Sequence, residues 1–135
     1  TSLQPHLVEM AILLCGRHWT SHHEWTAHKA LALKAGLAPT IISAIAARQK
    51  PELPDELHEL VYQISSVLLA TGRLPTDLYA RGVAQLGERG MVELVGVLGY
   101  YCMVSLTLNA FEIGLPANLA SELCDPDFPE STGVL

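Results

Sequence analysis

The chain has 135 residues, half of them apolar, with 16% charged, 6% aromatic and a formal net charge of −6. That length suits one domain, long enough to bury about two-thirds of its unfolded surface. Eight Lys and Arg, scattered among fourteen Asp and Glu, argue against nucleic acid or an anionic membrane as the main partner.

With so few aromatic residues, the core must be built from Leu, Ala, Val and Ile. The mean hydropathy of +0.29 leaves little polar surface to cover the outside, so self-association is expected. Cys15, Cys102 and Cys124 are odd in number, far apart and never in a C-x-x-C, which fits a reducing, cytoplasmic setting. The N-terminus lacks a basic stretch followed by an apolar run, so no signal peptide is expected, and Thr1 in place of Met suits a piece of a longer chain.

Residues 3–19 place Leu7, Val8, Ala11, Ile12, Leu14 and Cys15 at three- and four-residue steps, an amphipathic helix with Pro5 in its first turn. A second helix is expected from Ser21 to Ala35, stopped by Gly36. Pro39 opens a third reaching about Arg48, Asp55 a fourth ended at Thr71-Gly72, and Thr76-Asp77 a fifth ended at Gly87. A sixth covers about 90–111. Its fifteen uncharged residues 94–108, bracketed by Glu93 and Glu112 and containing Gly96 and Gly99, are too short for a membrane span and read as a buried central helix. No strand pattern competes, so the fold class is all-α, a single helical domain over residues 1–116. Pro and Gly after residue 116 predict an extended tail over 117–135.

Chemistry concentrates in Thr20-Ser21-His22-His23-Glu24-Trp25-Thr26-Ala27-His28. Ser21 and Glu24 have the S-x-x-E spacing of a capping box. Glu24 and His28 are i,i+4 on one face, so a carboxylate can orient an imidazole or share its proton. Near a helix N-terminus Glu24 is expected to stay charged. A cap plus a hydrogen-bonded histidine is the plainer reading of the same residues.

A metal site from His18, His22, His23, Glu24 and His28 needs three converging ligands, but His23 lies opposite His28 and there is no H-E-x-x-H. Cys15 and Cys102 sit on apolar faces, where inert thiols are the commoner case. Arg17, one turn before the cap, suits a substrate carboxylate or an ion pair. Tyr100, Tyr101 and Asn109 need partners in an otherwise oily helix, as pocket lining or as core and interface groups.

Taken together, Arg17-His18-Trp19, Glu24-Trp25, His28, Ala30-Leu31-Ala32 and Ala35-Gly36-Leu37, with Glu93-Leu94-Val95, Tyr100-Tyr101 and Leu108-Asn109-Ala110-Phe111, resemble the carboxymuconolactone decarboxylase family, within the alkyl hydroperoxidase D-like superfamily. The resemblance implies a helical fold of about six helices and a trimer or hexamer with active sites near subunit contacts. Aligning the C-x-x-C-x-x-x-H of the peroxidase branch on His28 places its cysteines at Ser21 and Glu24, so disulfide peroxidase chemistry is not expected. The decarboxylase branch has a glutamate four residues before the histidine, as here.

What that branch implies is a cofactor-free lyase or isomerase acting on a small oxygenated acid or lactone. Glu24 and His28 would move the proton, and Arg17, His18, His22, Trp25 and Tyr101 would bind the substrate. Two other readings stay open. One is a non-catalytic helical oligomer that binds a hydrophobic ligand or partner, and the other is a metal enzyme using the histidines.

Overall fold

The computed structural model describes residues 1–116 and 118–124. Among these residues there are five helices and no strand: α1 (Pro5–His18), α2 (His22–Lys34), α3 (Pro39–Ala46), α4 (Glu56–Thr71) and α5 (Thr76–Ala110). Local signals set most boundaries. Pro5 and Pro39 occupy the first turns of α1 and α3, where their missing N–H is not needed. Asp55 caps α4 by accepting from the backbone N–H of His58 at 2.9 Å.

The fifth and sixth helices expected from the sequence run on as α5, two helical stretches that meet at a kink. Only Gly87 leaves helical geometry, at φ 72° and ψ 169°, a region essentially reserved for glycine. A one-residue break redirects the axis without inserting a loop. Beyond it Met91 folds back over Gly82, where a Cβ would lie 2.5 Å from the Met91 Sδ.

The centre of the molecule is α1, not the apolar last helix that the sequence suggests. Leu7, Met10, Ala11, Ile12, Leu13 and Cys15 are all buried, on positions that surround the helix axis, the pattern of a helix covered on every side. It packs against each of the other four helices. By contrast, only 22% of the most apolar eighteen-residue window of α5 is buried, although the helix is long and apolar enough to cross a membrane by length and composition.

The residues of α5 divide by face. Met91, Leu94, Leu98 and Ser105 point inward at helical spacing, while Val92, Val95, Tyr100, Met103 and Leu106 are exposed. Hydrophobicity therefore runs round α5 on both sides, and the described residues supply cover for one.

Residues 118–124 carry no helix or strand, yet they lie against the helices, with Leu123 buried in the core. The expected tail otherwise falls outside the described residues, at 117 and 125–135.

Replacing Gly87 by Ala forces a side chain into the glycine region. It should cost about 1–3 kcal/mol, read as a lower midpoint of urea unfolding with an unchanged slope.

Candidate functional site

The site is built on the turn between α1 and α2. Thr20 has φ 48°, a strained conformation for a β-branched residue, and three side chains hold it. Arg17 Nη1 donates to Thr20 Oγ1 at 3.0 Å, Arg48 Nη2 to the same oxygen at 3.3 Å, and Asn109 Nδ2 to the Trp19 carbonyl at 2.7 Å. The Ser21 N–H returns to the Gly16 carbonyl at 2.8 Å. At Gly16 a Cβ would sit 3.4 Å from Glu24 Oε2 and 3.5 Å from the Trp25 nitrogen. The missing side chain thus lets the first turn of α2 lie directly on α1.

The capping box does not form. Ser21 is the N-cap residue of α2, but its side chain makes no capping bond. Its hydroxyl is buried without a partner among the described residues. Glu24 turns into the interior, 2% exposed, where Ser105 Oγ of α5 donates to its Oε2. The other oxygen, Oε1, is buried without a hydrogen-bond partner among the described residues.

Glu24 therefore does not behave as a surface carboxylate at a helix start. Burial pushes its pKa up to about 7, against the opposing pull of the Ser105 hydrogen bond and of His28. Loss of hydration outweighs the helix dipole, which had suggested a permanent charge.

His28 lies one turn further along α2 and does not bond to Glu24 directly. Its Nδ1–H donates to Glu9 Oε2 of α1 at 2.8 Å, and both side chains are 16% exposed. The Tyr101 ring meets the His28 ring edge-on at 4.9 Å. Burial, then the negative charge of Glu9, raises the pKa of the Tyr101 phenol. The outcome is an inner carboxyl, Glu24 on Ser105, and an outer couple, His28 with Glu9 and Tyr101, linked by charge across one turn of α2.

The other expected binding residues go elsewhere. Arg17 is buried and ties the fold together, Nε donating to the Ala46 carbonyl at 2.9 Å and Nη2 to that of Cys124 at 3.5 Å. With His18 it lines a cavity of about 160 Å³ whose other walls include Arg48, Tyr62 and Ser66. A second cavity, of about 550 Å³, is lined by Arg17, Arg48, Glu122 and Cys124. Neither cavity has Glu24 or His28 in its walls. His18 has a lowered pKa through burial and then through Arg48.

His22 and Trp25 are turned toward the C-terminal segment. His22 Nδ1 is hydrogen-bonded to Ser121 Oγ at 2.6 Å, and Trp25 Nε1 donates to Glu122 Oε1 at 2.7 Å. Glu122 also pairs with Lys29 at 2.9 Å.

The partners of His28 and Glu24 carried no signal of their own in the sequence. Glu9 carried no motif, and Ser105 was one small polar residue in an oily run. Its burial in such a run is the signal that could have found it, because a buried hydroxyl needs a partner. The cysteines lie on apolar faces as expected, but their pairing was not foreseen: Cys15 Sγ of α1 and Cys102 Sγ of α5 are 4.0 Å apart, the charge of Cys102 acts on Glu24, and that of Glu24 acts on Cys15.

Set against known proteins, the chain matches no family model, no curated protein and no solved structure.

Glu24 binds its proton more tightly in the folded state than in the unfolded chain, so the fold loses stability as pH rises from about 4.5 to about 7. Above that range the penalty is complete, at roughly 3 kcal/mol from 1.36 kcal/mol per pKa unit. In Glu24→Gln this component of the pH slope should vanish. Urea titrations of both proteins from pH 4 to 8 would show it as a stability difference that grows in favour of the variant; parallel curves would contradict the raised pKa.

Proposed function

We propose that the chain is a cofactor-free lyase, or isomerase, of the carboxymuconolactone decarboxylase type, acting on a small oxygenated acid or lactone. The observation that carries this reading is Glu24: a buried carboxyl with one oxygen on Ser105, the other without a partner among the described residues, and a pKa of about 7. A carboxyl that titrates near neutrality can both give and take a proton, which general acid–base catalysis requires. Structural ion pairs perturb pKa values too. Glu24, however, has no cationic partner in direct contact among the described residues, and its shift comes mainly from burial.

Loss of CO₂ from an acid conjugated to a lactone or ketone carbonyl breaks a C–C bond and leaves the electron pair delocalised onto that carbonyl. The carbon must then be protonated. In this reading the substrate enters from the side of His28, Glu9 and Tyr101, the part of the cluster open to solvent. Glu9 holds the imidazole in one orientation through Nδ1, which directs Nε2 outward toward the reacting carbon. Glu24 is the buried proton store behind it, and the Tyr101 phenol, kept neutral, donates to the carbonyl oxygen. Arg17 and His18 have a lesser part here than their sequence positions suggested, because the cavity they line does not include Glu24 or His28.

The chain would work as a homo-oligomer in the cytoplasm, a setting that the three free cysteines fit. Support for self-association comes from the outer face of α5. Val92, Val95, Gly99, Met103 and Leu106 follow one another there at three- and four-residue steps, with Tyr100 beside them and with open space over Gly96 and Gly99. That is a helix-packing stripe without a partner among the described residues. The same stripe favours a second reading, a non-catalytic helical oligomer whose function is binding.

Two measurements test these statements. In a screen of unsaturated lactone acids and β-keto acids, Glu24→Gln and His28→Ala should each lower turnover by about 10²–10⁴-fold while circular dichroism and oligomeric mass stay unchanged. Undiminished turnover in both variants would remove the acid–base assignment. Replacing Val95 and Met103 together by Glu should convert the oligomer to monomer in light scattering. A wild-type chain that is already monomeric, or soluble only in detergent, would contradict self-association through α5.

A further inference from the structure

Cys15 and Cys102 are 87 residues apart in sequence, yet α1 and α5 bring their sulfurs to 4.0 Å. A disulfide needs about 2.05 Å, so closing the pair requires roughly 2 Å, a distance within reach of side-chain rotation. Their environments differ in the way that a working pair needs. Cys15 is fully buried and Cys102 half-buried, so an outside reagent meets Cys102 first and Cys15 waits behind it. We propose that Cys15 and Cys102 form a redox-active dithiol that closes to a disulfide by exchange with a small-molecule disulfide. This does not rest on the lyase reading.

The chemistry balances without a further reagent. The Cys102 thiolate attacks one sulfur of the small disulfide, forming a mixed disulfide and expelling a thiolate. Cys15 then attacks the Cys102 sulfur, its proton passing to the second departing thiolate. The two electrons lost by the pair reduce the small disulfide to two thiols. The electrostatics favour that order. The Cys15 thiol, hydrogen-bonded to Cys102, keeps its own proton and holds the Cys102 thiol down to about 6 with help from Trp19, so Cys102 supplies the nucleophile at neutral pH. Glu24 lies close enough for its charge to act on Cys15 and to feel that of Cys102. Closing the disulfide removes the Cys102 charge from beside that carboxyl.

The test uses the full chain with Cys124→Ser, since Cys124 is exposed and would react by itself. Reduced protein is incubated anaerobically with oxidised glutathione. The two remaining thiols should both disappear, the mass should fall by two hydrogens, and non-reducing peptide mapping should join Cys15 to Cys102. Adding Cys15→Ser should trap a glutathione adduct on Cys102, and adding Cys102→Ser should leave Cys15 unreacted; Cys102→Ala replaces it if the serine variant does not fold. Persistence of both thiols while Cys124 of the unsubstituted chain reacts would overturn the proposal. So would a lasting adduct on Cys102 with Cys15 present, or a link that forms no faster in the folded chain than in urea.

Discussion

Burial of the Glu24 carboxyl between α1, α2 and α5 is the constraint on which this structure turns. An ionised carboxylate loses several kcal/mol of hydration when it leaves water, and only paired or hydrogen-bonded positions offset that. Here one oxygen has Ser105 and the other has no hydrogen-bond partner among the described residues. The group therefore holds its proton to about pH 7. Its location follows from two backbone features: Gly16, which lets α2 press on α1, and the strained Thr20 turn that launches α2 in that direction.

That turn explains why the most suggestive cations of the sequence are not free to serve a substrate as imagined. Arg17 joins the end of α1 to the α3 carbonyl of Ala46, to Thr20 and to Cys124. A buried guanidinium with several acceptors is satisfied where a lone one would be costly, and its planar set of donors lets one side chain serve three segments. The C-terminal segment closes the same end of the molecule through Ser121 and Glu122, which occupy His22 and Trp25. Buried polar contacts thus gather at one end of α1, while no described residue covers the outer apolar face of α5.

The fold was largely legible because helix signals are local. Pro5, Pro39, Asp55, Gly36 and Gly87 each act through their own backbone geometry, so they mark helix starts and stops wherever the chain goes. What periodicity could not decide was depth. The α5 run and the α1 run are both rich in apolar residues, but α1 is surrounded and α5 is covered on one face, because burial depends on how many neighbours arrive and not on composition. The candidate site was legible to the level of one helix: Glu24 and His28 were placed on one face of α2, and their hydrogen-bond partners were not.

The sequence by itself determined the all-α class, the helix limits to within a residue or two, the break at Gly87 and the presence of a carboxyl and an imidazole one turn apart. These depend on contacts within a few residues, which the chain carries wherever it folds. Only the tertiary structure decided that Ser105 and Glu9 are the partners of Glu24 and His28, that Arg17 is a structural tie, and that Cys15 meets Cys102. Each of those pairings except the Arg17 bond to Thr20 joins different helices or the C-terminal segment. The dielectric environment that moves the Glu24 proton to neutral pH exists only after α1, α2 and α5 have excluded water from around it.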